Sequence, residues 1–222
     1  GVSLVDAGEI IPLDDLFLFS NPLTNKPDVG PFSDLFRFKL LWMRGGWWSD
    51  TDVICLTSDI PDCAYAWAQI VPEIDPGALS PSQIRFPQGD PLIEELYRNC
   101  LESSRSIESR EHLGPKTFSR TLAKYPRPPG HWGSADEFYP IRWIETFKLW
   151  LPEFRDEVAA RCRSAAFLST MNSMHVYMDM LDKMPPRGSW LDDTYRALAP
   201  ERMTEEHYTR EDVLFRVRSF LR

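Results

Sequence analysis

No hydrophobic run in the sequence approaches the length of about 20 apolar residues that a helix needs to cross a membrane. It also has no basic segment followed by an apolar stretch at its start, which is the pattern of a signal peptide. These two absences predict that this chain has no membrane span and that the protein is cytoplasmic, of bacterial type.

Cysteine is scarce and widely spaced. The four cysteines are Cys55, Cys63, Cys100 and Cys162, and no two of them have CxxC spacing. Structural zinc sites and small disulfide-stabilised domains need denser cysteine patterns, so neither is expected. We expect the thiols to be reduced.

Clusters of lysine and arginine are also missing. The chain has 25 basic and 33 acidic residues and a formal net charge of −8. Non-specific binding to nucleic acid depends on clustered cations, so nucleic acid is not an expected partner. The length of 222 residues, with 43% hydrophobic residues, suits one globular domain over residues 1–222.

The most informative stretch is residues 32–56, which have the sequence FSDLFRFKLLWMRGGWWSDTDVICL. Pro31 predicts a helix start and Gly45 predicts its end. Because apolar residues occupy all sides of this helix, it should be buried. Asp34 and Arg37 share one face near its start. A buried charge is costly unless it is paired or bound, so these residues form either an internal ion pair or part of a binding site.

Two aspartates follow this helix, at positions 50 and 52, between two segments of strand composition. In an extended backbone, residues two apart project to the same side, about 6–7 Å from each other. Asp50 and Asp52 can therefore face one metal ion and its ligands.

Other local patterns predict further elements. We expect a short strand within residues 2–11, a surface loop over residues 12–30, a helix starting at Asp90, a buried strand containing His175, and a terminal helix capped by Thr209 and Asp212. The segment from Gly114 to Thr117 should open another helix. Its N-terminus is either an anion site or a simple helix start.

Taken in order, these motifs resemble a known family. Ser33-Asp34-x-x-Arg37, Gly45-Gly46 and Asp50-x-Asp52 are similar to the DXD sugar transferases of glycosyltransferase family 32, with their α-1,4-galactosyltransferase-like and capsule-synthesis relatives and the glucosylating bacterial toxins. Gly114-Pro115, Phe138-Tyr139-Pro140 and His175-Val176-Tyr177 resemble the later motifs of the family. The first string is specific, whereas the later ones contribute mainly through their order. Together they span most of the chain.

The resemblance implies an α/β fold of the GT-A type, a Rossmann-type mixed sheet flanked by helices with the DXD motif at a strand end. Relatives begin with an earlier strand that helps to hold the nucleotide base, and we expect this chain to lack that first N-terminal strand. The family also includes lumenal domains of membrane-anchored transferases, which is the alternative location.

The implied activity is that of a metal-dependent retaining glycosyltransferase. Such an enzyme uses Mn²⁺ or Mg²⁺ and moves a hexose from a nucleotide sugar, commonly a UDP-sugar, to a saccharide or other hydroxyl acceptor, for example in capsule synthesis. Two alternatives remain. One is a non-catalytic nucleotide-sugar-binding module, and the other is a metal-dependent phosphohydrolase, which would need further acidic ligands.

By the same resemblance, Asp34 and Arg37 hold the donor sugar, with Arg37 also near phosphate. Asp52 is the direct metal ligand, and Asp50 binds ribose, sugar or a metal-bound water. His175 completes the metal or diphosphate site or is a structural histidine. Among the tryptophans, most of which should be core residues, Trp48 is a candidate for the donor site and Trp132 for the acceptor side.

Overall fold

The computed structural model describes residues 2–22, 25–109, 111–202, 204 and 206–220. It is a mixed α/β structure whose residue contacts divide it into two compact units. The first unit consists of Gly1–Asp50 and Pro61–Ser134, and the second of Thr51–Ile60 and Ala135–Arg222. No helix in the described ranges is long and apolar enough to cross a membrane.

The strands are short, with one exception of eight residues. In chain order they are β1 (Phe19–Asn21), β2 (Lys26–Asp28), β3 (Gly46–Ser49), β4 (Val53–Cys55), β5 (Tyr65–Gln69), β6 (Leu79–Phe86), β7 (His131–Trp132) and β8 (Phe167–Ser169).

The α-helices are α1 (Gly30–Arg44), α2 (Pro91–Ser103), α3 (Thr117–Leu122), α4 (Ala135–Phe138), α5 (Arg155–Cys162), α6 (Asn172–Tyr177), α7 (Trp190–Leu198) and α8 (Arg210–Phe220). Short 3-10 segments occupy Ala7–Glu9, Leu13–Asp15, Trp143–Leu149, Pro152–Phe154 and Pro200–Arg202, and a π-helical turn spans His112–Lys116.

The main sheet of the first unit has the strand order β3-β6-β5-β7. Its long central strand, β6, pairs antiparallel with β3 and β5, whereas β5 pairs parallel with β7. The helices α1 and α3 contact this sheet, and α2 packs against both helices. The prediction of a mixed sheet flanked by helices is therefore confirmed.

Helix α1 lies at the centre of the first core. Its Phe38 stacks on Phe118 of α3 with a centroid distance of 6.0 Å, and Trp67 stacks on Phe86 at 5.4 Å. Gly45 ends the helix at a φ of 65°, and a Cβ there would lie 2.5 Å from the backbone nitrogen of Gln88. The chain can turn directly from α1 into β3 only because this residue is glycine.

The second unit has its own core around the antiparallel pair of β4 and β8, in which Val53 is opposite Ser169 and Cys55 is opposite Phe167. Its fully buried side chains include Leu168, Leu191 and Val213. Thr209 and Asp212 cap α8 reciprocally, since each backbone N–H donates to the other's side chain. This cap was predicted from the sequence and is confirmed.

Several local predictions are wrong. Residues 2–6 form no regular structure, and the predicted loop at 12–30 contains a hairpin of β1 and β2. Because these strands have three residues each and β2 contains Pro27, they show no alternating pattern that could be recognised. The segment around His175 is helix α6, not a strand.

Candidate functional site

Asp34 and Arg37 lie one turn apart on the buried face of α1. Arg37 Nη2 is 2.9 Å from Asp34 Oδ1, and the side chains are only 7% and 9% exposed. Removing both charges from water is costly, so their close pairing is a condition for the helix to pack here. The sequence prediction that the two residues share a face is confirmed.

Arg37 also extends from the helix to the sheet. Its Nη1 donates to the carbonyl oxygen of Pro81 at 2.7 Å and lies 3.2 Å from Asp50 Oδ1. Its guanidinium carbon lies 5.1 Å from the centre of the Trp48 ring. Arg37 therefore joins helix α1 to the ends of two strands, although its buried Nε has no partner among the described residues.

Asp50 follows the last residue of β3, and its backbone N–H donates to Ser82 at 2.8 Å. Its Oδ1 accepts a hydrogen bond of 2.7 Å from the indole N–H of Trp48 in addition to the contact with Arg37. The Asp50 side chain is 27% exposed, and its Oδ2 makes no hydrogen bond or ion pair with a described residue. The contacts with Arg37 and Trp48 hold Oδ1 in place.

We call Asp34, Arg37, Trp48 and Asp50 the arginine cluster. All four were predicted site residues, and the structure brings them together within the first unit. Net charge in the cluster is −1, with the two carboxylates on either side of one guanidinium.

Gly114 supports this cluster in a way that the sequence did not indicate. A Cβ at position 114 would lie 2.4 Å from Asp34 Oδ2 and 2.5 Å from Asp34 Cγ, so the carboxylate lies directly against the glycine. Nearby, burial and then the Asp34 charge raise the pKa of the Cys100 thiol. The lack of a side chain at position 114 therefore makes space for the Asp34 carboxylate.

The predicted short helix is present as α3, but Gly114 does not begin the helical segment, which starts at His112. These residues continue from a π-helical turn, in which Lys116 donates to the carbonyl of Glu111, into α3. Pro115 lies inside this turn and has no N–H to donate, which favours the wider turn. Thr117 uses its hydroxyl to donate to the carbonyl of His112. An anion site at a helix start is therefore not formed by these residues.

Asp52 belongs to the second unit, where it connects β4 to the start of α6. Its carbonyl oxygen accepts from the N–H and hydroxyl of Thr170 at 2.8 and 3.1 Å, and its Oδ2 accepts from the N–H of Asn172 at 2.8 Å. The residue between them, Met171, adopts a left-handed conformation with a φ of 53°. This strained turn directs the Asn172 N–H at the Asp52 carboxylate.

His175 is buried in the second unit, with 3% exposure. Its Nε2 accepts a hydrogen bond of 2.9 Å from the indole N–H of Trp150. Burial lowers the pKa of His175 to about 4, so the ring is neutral at pH 7. To bind a metal through Nε2, His175 would have to give up the hydrogen bond from Trp150.

Because two histidines are neutral in the folded protein, we expect the free energy of unfolding to depend on pH. The pKa of His175 and that of His131 each fall from 6.5 to about 4, mainly through burial. Between pH 6.5 and pH 4 the unfolded chain binds more protons than the folded chain. The free energy of unfolding is therefore highest above pH 6.5 and decreases as the pH falls towards 4, by up to about 3 kcal/mol for His175. Urea unfolding at pH 8 and pH 4.5 measures this loss.

The variants His175→Gln and His131→Gln keep a hydrogen-bonding group and remove the titration. Each is expected to show a smaller difference in unfolding free energy between pH 8 and pH 4.5 than the unaltered chain. An unchanged pH difference in both variants would contradict this assignment.

No cluster of three or more His, Cys, Asp or Glu side chains that could hold a metal ion occurs in the part of the chain that the structure describes. Trp132 lies on β7, where its ring contacts Trp47.

Comparison with protein-family models found no match. No curated protein matches the chain, and no solved structure does so either.

Proposed function

We propose that this protein is a metal-dependent retaining glycosyltransferase that moves a hexose from a nucleotide sugar, such as a UDP-sugar, to a saccharide or other hydroxyl acceptor. Capsule or polysaccharide synthesis is a process that needs this reaction. The observation that supports the proposal is the arginine cluster. Residues from helix α1 and from the end of the strand that follows it meet around one buried guanidinium, which also donates to the distant Pro81 carbonyl.

The chemistry of such a transfer matches the charges in the cluster. Cleaving the bond between the sugar and the diphosphate leaves a multiply charged leaving group, and a fixed guanidinium stabilises developing negative charge. Arg37 is held in place by Asp34 and by the Pro81 carbonyl, so it needs little reorganisation to do so. Asp34 and Asp50 would accept hydrogen bonds from donor hydroxyls, and the half-buried Trp48 ring would face the donor.

A divalent cation fits the residues that are present. Mg²⁺ and similar ions are usually held by one or two carboxylates together with substrate phosphates and waters. The Oδ2 oxygen of Asp50 makes no hydrogen bond or ion pair with a described residue. Asp50 would hold Mn²⁺ or Mg²⁺, and the bound ion would neutralise charge on the diphosphate leaving group. The resemblance to the DXD transferases makes Asp52 the second candidate ligand.

The proposal includes a GT-A-type fold. A mixed sheet flanked by helices, with an aspartate directly after β3, is consistent with it. In this chain the central pairs β3–β6 and β6–β5 are antiparallel, and the parallel pair is β5–β7 at the edge.

A non-catalytic nucleotide-sugar-binding module is the second candidate. Asp34 and Arg37 pair closely with each other and are only 7% and 6% exposed. Such a buried pair serves packing as well as binding, which favours the module.

Calorimetric titration with UDP in the presence and absence of Mn²⁺ tests both candidates. We expect metal-dependent binding that Asp50→Asn and Asp52→Asn each weaken at least tenfold, or about 1.4 kcal/mol, because each removes a carboxylate ligand. The matched control is Asp59→Asn, an exposed aspartate on the loop after β4, which should bind as the unaltered chain does. Absence of any Mn²⁺-dependent UDP binding would refute the transferase.

Hydrolysis of UDP-sugars then distinguishes the enzyme from the binding module. A slow release of free sugar that Asp52→Asn abolishes, with unchanged thermal unfolding, is the result expected for a transferase. Metal-dependent binding without any release from a panel of UDP-hexoses would favour the module.

A further inference from the structure

Helix α8 packs one side against the core of the second unit and exposes the other side. Val213 and Val217, four residues apart, are buried at 0% and 9% exposure. Phe215 lies two positions from each of them, which places it on the far side of the helix, and it is 72% exposed. Burying this ring against another surface would gain hydrophobic free energy.

Phe215 belongs to an open groove along the exposed side of α8, with a volume of about 420 Å³. The described residues that line the groove all come from this helix: Arg210, Glu211, Leu214, Phe215, Arg218 and Ser219. A small-molecule site buries most of its ligand in a cleft, so a groove along a single helix fits a larger surface instead. We call four of these residues, aligned on one face by spacings of three and four positions, the α8 stripe: Glu211, Leu214, Phe215 and Arg218.

The charged ends of the α8 stripe are open to a partner. Glu211 lies in the first turn of α8 and Arg218 in the last turn, about 10 Å apart along the axis, so they do not pair with each other. The Glu211 side chain is 79% exposed, and its contact with Arg210 at 3.7 Å is a weak surface pair. Arg218 is exposed, and its guanidinium forms no ion pair or hydrogen bond with another described residue.

The α8 stripe is complementary to itself in the antiparallel direction. Two copies of α8 that pack about a twofold axis between positions 214 and 215 set Leu214 of each copy against Phe215 of the other. The same axis sets Glu211 of each copy opposite Arg218 of the other, which gives two ion pairs of opposite charge. A parallel arrangement would instead set like charges against each other, which is costly.

We propose that two copies of this chain associate through the α8 stripe, with their α8 helices antiparallel. Leu214 and Phe215 supply the apolar centre of the contact, and the pairs of Glu211 with Arg218 at its two ends fix the direction. Because the same patch is used on both copies, the assembly closes at two. The proposal concerns α8 alone and does not depend on the transferase function proposed above.

The length of α8 limits the strength of this contact. Its 11 residues span about 16 Å. One such helix on each copy buries less than the roughly 1,200 Å² at which stable protein–protein interfaces begin. We therefore expect a dimer that dissociates readily and that forms only as the chain becomes concentrated.

An anionic membrane surface is the other partner that suits apolar and basic residues on one helix. Helices that lie on membranes carry many lysines or arginines on their polar face. On α8, Arg210 is already paired with Glu153 at 2.7 Å, and Glu211 would be repelled by anionic lipid. The net charge of −8 has the same effect, so a second copy is favoured, and vesicles are included in the test.

Sedimentation equilibrium of the whole chain, from about 5 µM to about 500 µM, tests the proposal. We expect the average mass to rise with concentration from that of one copy towards that of two copies and no further. Phe215→Ala should weaken the association at least tenfold, because it removes the apolar centre. The matched control is Leu198→Ala on α7, at a leucine with 64% exposure, which should associate as the unaltered chain does.

Two single variants test the charge pairs. Glu211→Arg makes both ends of the stripe positive and Arg218→Glu makes both ends negative, so each variant alone should associate at least tenfold more weakly than the unaltered chain. An equimolar mixture of the two should recover most of the association, because each copy then meets the opposite charge at both ends. An effect of these changes on the stability of α8 alone would not be reversed by mixing.

Thermal unfolding at the lowest concentration checks that each variant keeps its fold. The proposal is overturned if the unaltered chain remains a single copy at the highest concentration, if Phe215→Ala associates as Leu198→Ala does, or if the mixture recovers nothing. Binding to vesicles of phosphatidylserine and phosphatidylcholine, lost in Arg218→Glu and without self-association, would overturn it in favour of a membrane surface. A chain that stays monomeric and still binds UDP with Mn²⁺ would refute the dimer and leave the transferase, so the two proposals can fail separately.

Discussion

Gly114→Ala is expected to destabilise the first unit by about 3 kcal/mol, the upper part of the range for overpacking a buried site. The new Cβ would lie 2.4–2.5 Å from three atoms of the Asp34 carboxylate. The carboxylate cannot simply rotate away, because Arg37 holds it at 2.9 Å in a buried position. At an unhindered helical position the same change would stabilise the chain by about 0.4–1 kcal/mol, so even the sign is informative. Urea unfolding measures it.

Gly77→Ala is the matched control, because Gly77 also lies beside an aspartate. Its Cβ would be 3.3 Å from Asp75 Oδ1, on the exposed surface, where the side chain can move. This variant should differ from the unaltered chain by less than about 0.5 kcal/mol. A double variant, Gly114→Ala with Asp34→Ala, should cost much less than the sum of the single changes, since Asp34→Ala removes the clash. Additive effects would mean that Gly114 has another role.

Arg37→Ala should lower the free energy of unfolding by about 3–5 kcal/mol, the usual cost of leaving a buried charge without its partner. Asp34 would remain buried opposite an empty space, and the Pro81 carbonyl would lose its donor at 2.7 Å. Arg37→Lys should retain part of the stability, because an ammonium group can pair with one carboxylate but cannot reach Asp34, Asp50 and Pro81 together. Denaturant unfolding at low salt gives both values.

Arg98→Ala provides the comparison. Arg98 pairs with Glu94 on the surface of α2 and its side chain is 74% exposed, so its loss should cost less than about 0.5 kcal/mol. If Arg37→Ala were as mild as Arg98→Ala, the pair on α1 would not be an essential part of the fold. In the proposed transferase, Arg37→Lys should also lose affinity for UDP, which identifies a binding role beyond stability.

The region around α1 was the part most predictable from sequence. The helix, the glycine stop and the strands on both sides of Asp50 and Asp52 are confirmed. Each of these rests on local physics: proline at a helix start, glycine at a positive φ and β-branched or aromatic residues in strands. The shared face of Asp34 and Arg37 follows from the helical repeat.

Contacts distant in sequence could not be predicted. No local pattern shows that Gly114 lies against Asp34, that Arg37 reaches the Pro81 carbonyl, or that Trp150 donates to His175. Gly114-Pro115 predicts a helix nearby, and α3 does follow at Thr117, but the two residues lie inside a π-helical turn and do not form the helix start. The one sequence signal for a special role of Gly114 is the proline that follows it, which interrupts regular helix geometry. That Asp34 is the partner of Gly114 follows only from the three-dimensional structure.

Helix α6 shows how tertiary contacts can determine local structure. Its six residues include the aromatic Tyr177 and the β-branched Val176, which favour strands. The left-handed Met171 and the hydrogen bond from Asn172 to Asp52 nevertheless start a helix there. The contact that decides the outcome is made with a residue 120 positions away.

The pairing of β4 with β8 has a consequence for synthesis on the ribosome. Asp52 and Thr170, at the ends of these strands, are 118 positions apart. At about 5–20 residues per second, β4 emerges about 6–24 s before its only sheet partner among the described residues can reach it. During this interval β4 is an unpaired strand edge, open to pairing with other nascent chains. We therefore expect slower translation or scarce chaperones to lower the soluble yield through the second unit, whereas the sheet of the first unit has all its strands once residue 132 has emerged.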